Sequence, residues 1–255
     1  MTLFLTQFLQ ISWSESGFWF GMLAALILGI SKSGIKGITV IIVTILALVH
    51  GGKASTGVLL PLLIFADIIA VSYYKRHIEW KHFWSMIPWM VIGVVIGAFI
   101  GKDMPEVIFK QLMAIIIMIT VLLMIYWEYS KNIKVPSHRG FAVTMGLLAG
   151  ITTMIGNLAG AFSNLYFLAN RVPKNAFIGT AAFLFFCINI FKLPFHIWLW
   201  KTVNWNSIQT SIQMMPAVFL GFFMGVYIVR MIPEIWYRNM ILILTAVGAL
   251  IIFFR

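Results

Sequence analysis

Long apolar runs, interrupted by short polar segments, make up almost all of the chain. Six of these runs have the length of a membrane-spanning helix, which needs ~20 residues. They cover residues 55–74, 83–101, 107–127, 176–200, 207–229 and 236–254. This pattern predicts an all-α polytopic membrane protein, because a helix satisfies its own backbone hydrogen bonds inside the hydrocarbon.

Two further apolar regions, 17–49 and 140–170, are too long for one such helix and marginal for two. Each is broken near its middle by glycines and polar residues. The break predicts a broken or re-entrant helical hairpin whose tip lies inside the membrane, where protein or a water-filled cavity must supply hydrogen bonds. The alternative is a hairpin that crosses the membrane twice, with its tip in a loop.

The second half of the chain repeats the first. The segment "MIPWMVIGVVIGAFIGKDMPEV" aligns with "MMPAVFLGFFMGVYIVRMIPEI", and "GMLAALILGISKSGIKG" (21–37) aligns with "GLLAGITTMIGNLAG" (146–160). The matched pairs are Trp80 with Trp205, Pro88 with Pro216, Gly93 with Gly221, and Gly97 with Gly225. We therefore divide the chain into an interfacial N-terminal segment (1–16), a first repeat (17–127), an inter-repeat loop (128–139) and a second repeat (140–255).

Each repeat is predicted to contain one broken hairpin and three transmembrane helices. Whether a hairpin crosses twice or returns, the number of crossings in one half is odd. The second half must then sit upside down relative to the first, which predicts two inverted repeats. Paired, glycine-interrupted segments in the two halves of such a protein indicate the binding site of a secondary transporter.

Composition and charge agree with a multi-pass protein of the cell membrane, whether bacterial inner membrane or plasma membrane. The chain is 62% hydrophobic and 10% charged, with a mean hydropathy of +1.00 and a net charge of +11. The lysines and arginines are spread over short loops, which favours anionic lipid headgroups over nucleic acid as their partners. With re-entrant hairpins, ten of these cations fall on one side and five on the other, which predicts that both termini lie outside the cell.

The two hairpin tips hold the candidate substrate-binding residues. In the first tip these are Ser31, Lys32, Ser33, Gly34, Lys36 and Gly37. In the second tip they are Gly156, Asn157, Gly160, Ser163 and Asn164. Cations, hydroxyls, amides and the N–H groups freed at glycines would together suit an oxyanion. If the hairpins cross fully, however, the two lysines are ordinary residues of a cytoplasmic loop.

One acidic residue, Asp67, lies inside an apolar run, and intramembrane charges are usually functional. The spacing set by Trp80 and Trp205 makes Lys192 its counterpart in the second repeat. The two are predicted to form either a static ion pair or a proton-coupling switch. A further alternative is that Asp67 is satisfied by Ser72 or by the lysines of the first tip, with Lys192 reaching an interface.

The duplicated pattern resembles the TauE/SafE family of sulfite and organosulfur anion exporters. The resemblance rests on the glycine-containing hairpin that opens each half, the turns "HIEW" and "VNW", and the following helix with G-x-x-x-G and a proline corner. It extends from about residue 17 to 254. Where that family has a G-x-G-G-G stretch, this chain has "GISKSGIKG" and "MIGNLAG". The resemblance implies transport of small anions such as sulfite or sulfonates.

The residues alone predict a secondary transporter with inverted repeats; the resemblance further implies that it exports a small sulfur-containing anion by alternating access, with protons as an optional coupling ion. An anion channel is the first alternative, and a membrane enzyme or assembly factor is the second. We predict no enzymatic activity, since no nucleophile, base and orienting group stand together in the sequence. No cofactor or metal site is predicted, and the oligomeric state is left open.

Overall fold

The apolar runs fold into α-helices whose ends fall at the glycines and polar residues between them. The computed structural model describes residues 16–35, 38–105 and 139–233, together with positions 107–109, 111–112, 115, 118–119 and 236. In the first half the helices are α1 (Ser16–Lys32), α2 (Thr39–His50), α3 (Gly52–Tyr74) and α4 (Trp80–Lys102). In the second half they are α5 (Arg139–Gly156), α6 (Ala159–Ala169), α7 (Lys174–Pro194) and α8 (Trp205–Met231).

Four helical segments of the described chain are long and apolar enough to cross a membrane. They are Gly52–His77, Trp80–Lys102, Lys174–Leu199 and Trp205–Met231. The first and third continue α3 and α7 through a 3₁₀ turn, Lys75–His77, and a π-helical turn, Phe195–Leu199. The prediction of an all-α polytopic membrane protein is confirmed. The predicted spans 107–127 and 236–254, the loop 128–139 and the N-terminal segment 1–16 lie almost wholly outside the described residues.

Each predicted hairpin is a pair of helices interrupted near its middle. Helices α1 and α2 contain 17 and 12 residues, and α5 and α6 contain 18 and 11. At ~1.5 Å per residue, the second helix of each pair is far shorter than the ~30 Å hydrocarbon core. A break in the middle of each hairpin is therefore observed, while the choice between crossing and re-entry stays a prediction.

The first helix of each hairpin packs against the fourth helix of the other half. Helix α1 lies along α8, and α5 lies along α4, while α3 and α7 pack against each other. Close contact depends on glycine, because a Cβ at Gly93 would collide with the Leu147 carbonyl and one at Gly221 with the Leu26 carbonyl. The halves are thus interleaved in matching contacts, and their inversion across the membrane stays a prediction.

These contacts correct the register of the repeat in the hairpins. A Cβ at Gly29 would clash with the backbone at residues 218 and 222, next to Gly221, and one at Gly150 would clash beside Gly93. Packing therefore makes Gly150 the counterpart of Gly29. The sequence alignment, which starts by pairing Gly21 with Gly146, would instead pair Gly29 with a residue four positions after Gly150. The difference is four residues, about one helical turn, which leaves the same face of the helix in contact.

Candidate functional site

The break in the first hairpin is closed by a short polar turn. Helix α1 ends at Lys32, and Gly34 follows in a left-handed backbone conformation with φ of 132°. The buried Tyr74 hydroxyl donates to the Ser33 carbonyl at 2.7 Å, which holds the turn against α3. The hydroxyls of Ser31 and Thr39 lie 3.3 Å apart and join the end of α1 to the start of α2.

The break in the second hairpin is held by a buried lysine from α7. Helix α5 ends at Gly156, and Asn157 adopts a left-handed conformation with φ of 57°, which asparagine tolerates better than most residues. The Lys192 ammonium donates to the Thr153 carbonyl at 3.0 Å, the Thr153 hydroxyl at 3.1 Å and the Asn157 Oδ1 at 2.6 Å. Lys192 therefore adds a cationic donor at the C-terminal end of α5, where the Thr153 carbonyl also accepts from the Asn157 N–H.

Both tips face a single cavity of about 30 Å³. About 10–15 Å³ admits one water molecule, so the cavity has room for a few atoms. Residues from α1, α2, α3, α5, α6 and α7 and the turn after α5 form its wall: Ser31, Lys32, Thr39, Leu63, Thr153, Asn157, Ala159, Gly160, Asn164, Phe185 and Asn189. The broken hairpins thus bring polar groups from both halves of the chain to one interior point.

Two helix N-termini begin at this cavity. Thr39 opens α2 and Ala159 opens α6, and both residues belong to the cavity wall. No side chain caps the first N–H groups of either helix at Ile38 or Leu158. The positive ends of two helix dipoles and their N–H donors favour an anion in this position.

The Lys32 cation of the first tip is neutralised by Asp67. The Lys32 ammonium lies 2.5 Å from the Asp67 Oδ1, and the Asn189 amide donates to the Asp67 Oδ2 at 2.6 Å. The same ammonium stands 5.1 Å above the centre of the Phe185 ring, a cation–π arrangement. Asp67 is fully buried, so each carboxylate oxygen receives one of these hydrogen bonds in place of water.

The predicted ion pair between Asp67 and Lys192 is wrong. Asp67 bonds to Lys32 from α1 and to Asn189 from α7, whereas Lys192 bonds to Thr153 and Asn157. The reason is the packing register. Asp67 reaches the end of α1 three residues after Gly29, and Lys192 reaches the end of α5 three residues after Gly150. The alternative partner considered from the sequence, Lys32, is the one observed.

Five predicted substrate-binding residues line the cavity: Ser31, Lys32, Asn157, Gly160 and Asn164. Ser33 and Ser163, predicted as donors to substrate, instead donate to the carbonyls of Ile30 and Ala159. Ser33 thus bonds back to the last turn of α1 and Ser163 bonds within α6, as serines commonly do. Gly34 and Gly156 form the breaks rather than the cavity wall, and Lys36 and Gly37 lie outside the described residues.

Sequence reasoning missed Thr39, Thr153 and Asn189 as cavity residues. Asn189 offered a signal, because a carboxamide in the apolar run "FCINIFK" needs a partner in the membrane. Thr153 lies in the "TTM" segment that opens the region of the second tip, where only Asn157, Ser163 and Asn164 were predicted as polar side chains facing substrate. Within the described ranges, no cluster of three or more His, Cys, Asp or Glu side chains could hold a metal ion.

Comparison with known proteins agrees with this architecture. The profile of the family described as Sulfite exporter TauE/SafE matches residues 20–252 of the 255. The match spans both broken hairpins and all four described spans. No curated protein and no solved structure matches the chain significantly. The paired hairpins, the repeat and the family profile lead to one conclusion: the chain belongs to the sulfite exporter TauE/SafE family.

Proposed function

We propose that this protein is a secondary transporter that exports a small sulfur oxyanion, such as sulfite, and binds it in the cavity between the two hairpin tips. The observation that carries the proposal is the convergence of two helix N-termini on one small cavity, with the buried Lys192 bonded to two residues of its wall, Thr153 and Asn157. Family membership supports the transport of a sulfur-containing anion. The small volume favours a bare oxyanion over an organosulfonate with a carbon tail.

The balance of buried charges also favours an anion. Among the described residues, the buried lysines and carboxylates are Lys32, Lys192 and Asp67. Asp67 compensates Lys32, while Lys192 contacts only neutral oxygens. A buried charge without a counter-charge is costly, so an anion in the adjacent cavity would stabilise the site.

The interleaved packing suggests how the site opens to each side. Each tip belongs to one half, but its first helix packs against the fourth helix of the other half. If the two halves rock against each other, the two tips would move apart or together around the anion. Other transporters with paired discontinuous helices work in this way. Export of an anion is downhill in a cell that is negative inside, by ~2.3 kcal/mol per charge per 100 mV.

Flux measurements in proteoliposomes test this function. We expect saturable sulfite uptake that is accelerated by sulfite on the opposite side, with weaker or no uptake of sulfate, thiosulfate, sulfoacetate and taurine. Flux that does not saturate and shows no counterflow would favour an anion channel instead. No flux of any anion would contradict transport and favour an enzyme or assembly factor.

A matched pair of asparagine variants tests whether the transported anion binds in this cavity. Asn164 is 2% exposed and lines the cavity, whereas Asn206 is exposed at the start of α8. We expect Asn164→Leu to reduce sulfite counterflow at least ten-fold and Asn206→Leu to leave it unchanged. Equal effects of the two variants would remove the cavity from the transport path.

A further inference from the structure

Lys192 uses its whole hydrogen-bonding capacity on the second hairpin. The ammonium is fully buried and carries three N–H groups, and three oxygens surround it: two from Thr153 and the Asn157 Oδ1. The shortest of the three contacts is the one to Asn157, at 2.6 Å. None of these partners is charged, so Lys192 does not form an ion pair within the described chain.

This arrangement fixes the orientation of the Asn157 carboxamide. An ammonium can only donate, so the atom of Asn157 that faces Lys192 must be the oxygen. The amide nitrogen, Nδ2, must then point away from Lys192. Asn157 is 5% exposed, it belongs to the cavity wall, and its Nδ2 has no hydrogen-bond partner among the described residues. An N–H donor is therefore held ready at the cavity.

Asn164, the other asparagine beside the second tip, lacks such a constraint. Its Oδ1 is buried without a hydrogen-bond partner in the described part of the chain. Among the described residues no cation bonds to the Asn164 amide, so it can turn to present either its oxygen or its nitrogen. The two asparagines thus differ in one respect: Asn157 is locked as a donor, and Asn164 is adaptable.

We propose that Lys192 is a positioning residue that locks Asn157 as a hydrogen-bond donor to the transported anion, and that Asn157 thereby selects ligands that present an acceptor-only oxygen. The inference rests on the proposed function and specifies how its site discriminates. A deprotonated oxyanion such as sulfite satisfies the Asn157 donor. A ligand group that offers only N–H donors, such as an ammonium, leaves that donor unpaired and is rejected.

Asn157→Asp gives the sharpest test, because it should separate stability from binding. Aspartate tolerates the left-handed backbone, keeps an oxygen facing Lys192 and supplies the counter-charge that the lysine lacks. It also replaces the N–H donor in the cavity by a negative oxygen. We expect the purified protein in detergent to melt at a higher temperature, while the melting shift produced by sulfite and the sulfite counterflow both fall at least ten-fold.

Asn164→Asp is the matched control. It places the same carboxylate in the cavity wall, but no buried cation of the described chain bonds to this position, so the melting temperature should fall together with binding. If Asn157→Asp lowers the melting temperature like Asn164→Asp, or keeps normal sulfite binding, the locked-donor inference is wrong. A wild-type protein that neither binds nor moves any anion would instead refute the proposed function.

A double-mutant cycle tests the coupling without an introduced charge. The variants are Asn157→Gly, which suits the left-handed backbone and removes the amide, Lys192→Met, and their combination. If Lys192 acts through Asn157, removing the amide should weaken sulfite binding several-fold in the wild type and little in the Lys192→Met background. Additive losses would show that the two residues act independently and would overturn the inference.

Discussion

The two halves of the protein hold their hairpins with the same helices but with opposite chemistry. In the first half, the cation Lys32 ends the hairpin helix α1 and the carboxylate Asp67 comes from α3. In the second half, the cation Lys192 comes from α7, and the hairpin helix α5 offers the neutral Thr153. One cation is therefore neutralised, and the other is held by dipoles alone.

This difference indicates how a duplicated scaffold can become a binding site for an anion. Matching the packed glycines Gly29 and Gly150 places Lys32 and Thr153 at the same position, three residues later in each helix. If both halves carried an ion pair, the buried charges would cancel. Because Thr153 is neutral, Lys192 has no counter-charge among the described residues, and this difference is the basis of the anion site proposed above.

The largest expected effect comes from breaking the ion pair of the first half. Asp67→Asn leaves Lys32 as an uncompensated buried cation, and loss of one partner of a buried pair typically costs about 3–5 kcal/mol. We expect a loss of that size in the free energy of unfolding in detergent. The double variant Lys32→Gln with Asp67→Asn should recover most of it, since a neutral pair can hydrogen-bond in the same place.

The same double variant distinguishes a structural pair from proton coupling. If the pair only supports the hairpin, sulfite transport and its pH dependence should be retained. If Asp67 carries a coupled proton, the double variant should fold normally and lose the pH dependence of transport. A single Asp67→Asn variant with wild-type stability would contradict the observed ion pair with Lys32.

A substitution of Lys192 in the second half should cost less stability than Asp67→Asn but should weaken sulfite binding more. Lys192→Met removes a cation whose partners are neutral, and unpaired neutral acceptors cost about 1–3 kcal/mol. The same change removes the uncompensated positive charge, so the melting shift produced by sulfite should fall several-fold. Lys81→Met, at an exposed position of α4, serves as the matched control and should change neither quantity.

Substitutions at the packed glycines test the packing register by which the two halves are compared. A methyl group at Gly29 meets the backbone of α8, whereas one at Gly21 meets the flexible end of Met214. We expect Gly29→Ala and Gly150→Ala to destabilise the protein by about 1–3 kcal/mol each. Gly21→Ala should be near neutral, because the methionine can move and alanine favours the helix. Equal costs at Gly21 and Gly29 would argue against this register.

Much of the fold could be predicted because apolar periodicity and length are local properties. The described spans begin and end within a few residues of the predicted ones, and the counterparts Trp80 and Trp205 are the first residues of α4 and α8. The hairpin breaks were also visible, since Gly34 and Asn157 are among the few residue types that accept a left-handed backbone.

The partners of the buried charges could not be predicted in the same way. The spacing between Trp80 and Trp205 made Asp67 and Lys192 counterparts, but counterparts in a repeat need not touch. Each residue instead contacts a hairpin helix, and a shift of one turn in that helix is invisible to an alignment of small apolar residues. The ion pair was therefore assigned to the wrong cation.

The sequence by itself determined that this chain is a helical membrane protein with a duplicated pattern and a broken hairpin in each half, because hydrophobic length and glycine position act locally. Only the tertiary structure decided which polar groups meet. Packing of α1 on α8 and of α5 on α4 sets the position of each tip along its neighbouring helices, and that position brings Lys32 to Asp67 and Lys192 to Asn157. Side chains far apart in sequence share a hydrogen bond only when such packing fixes the register.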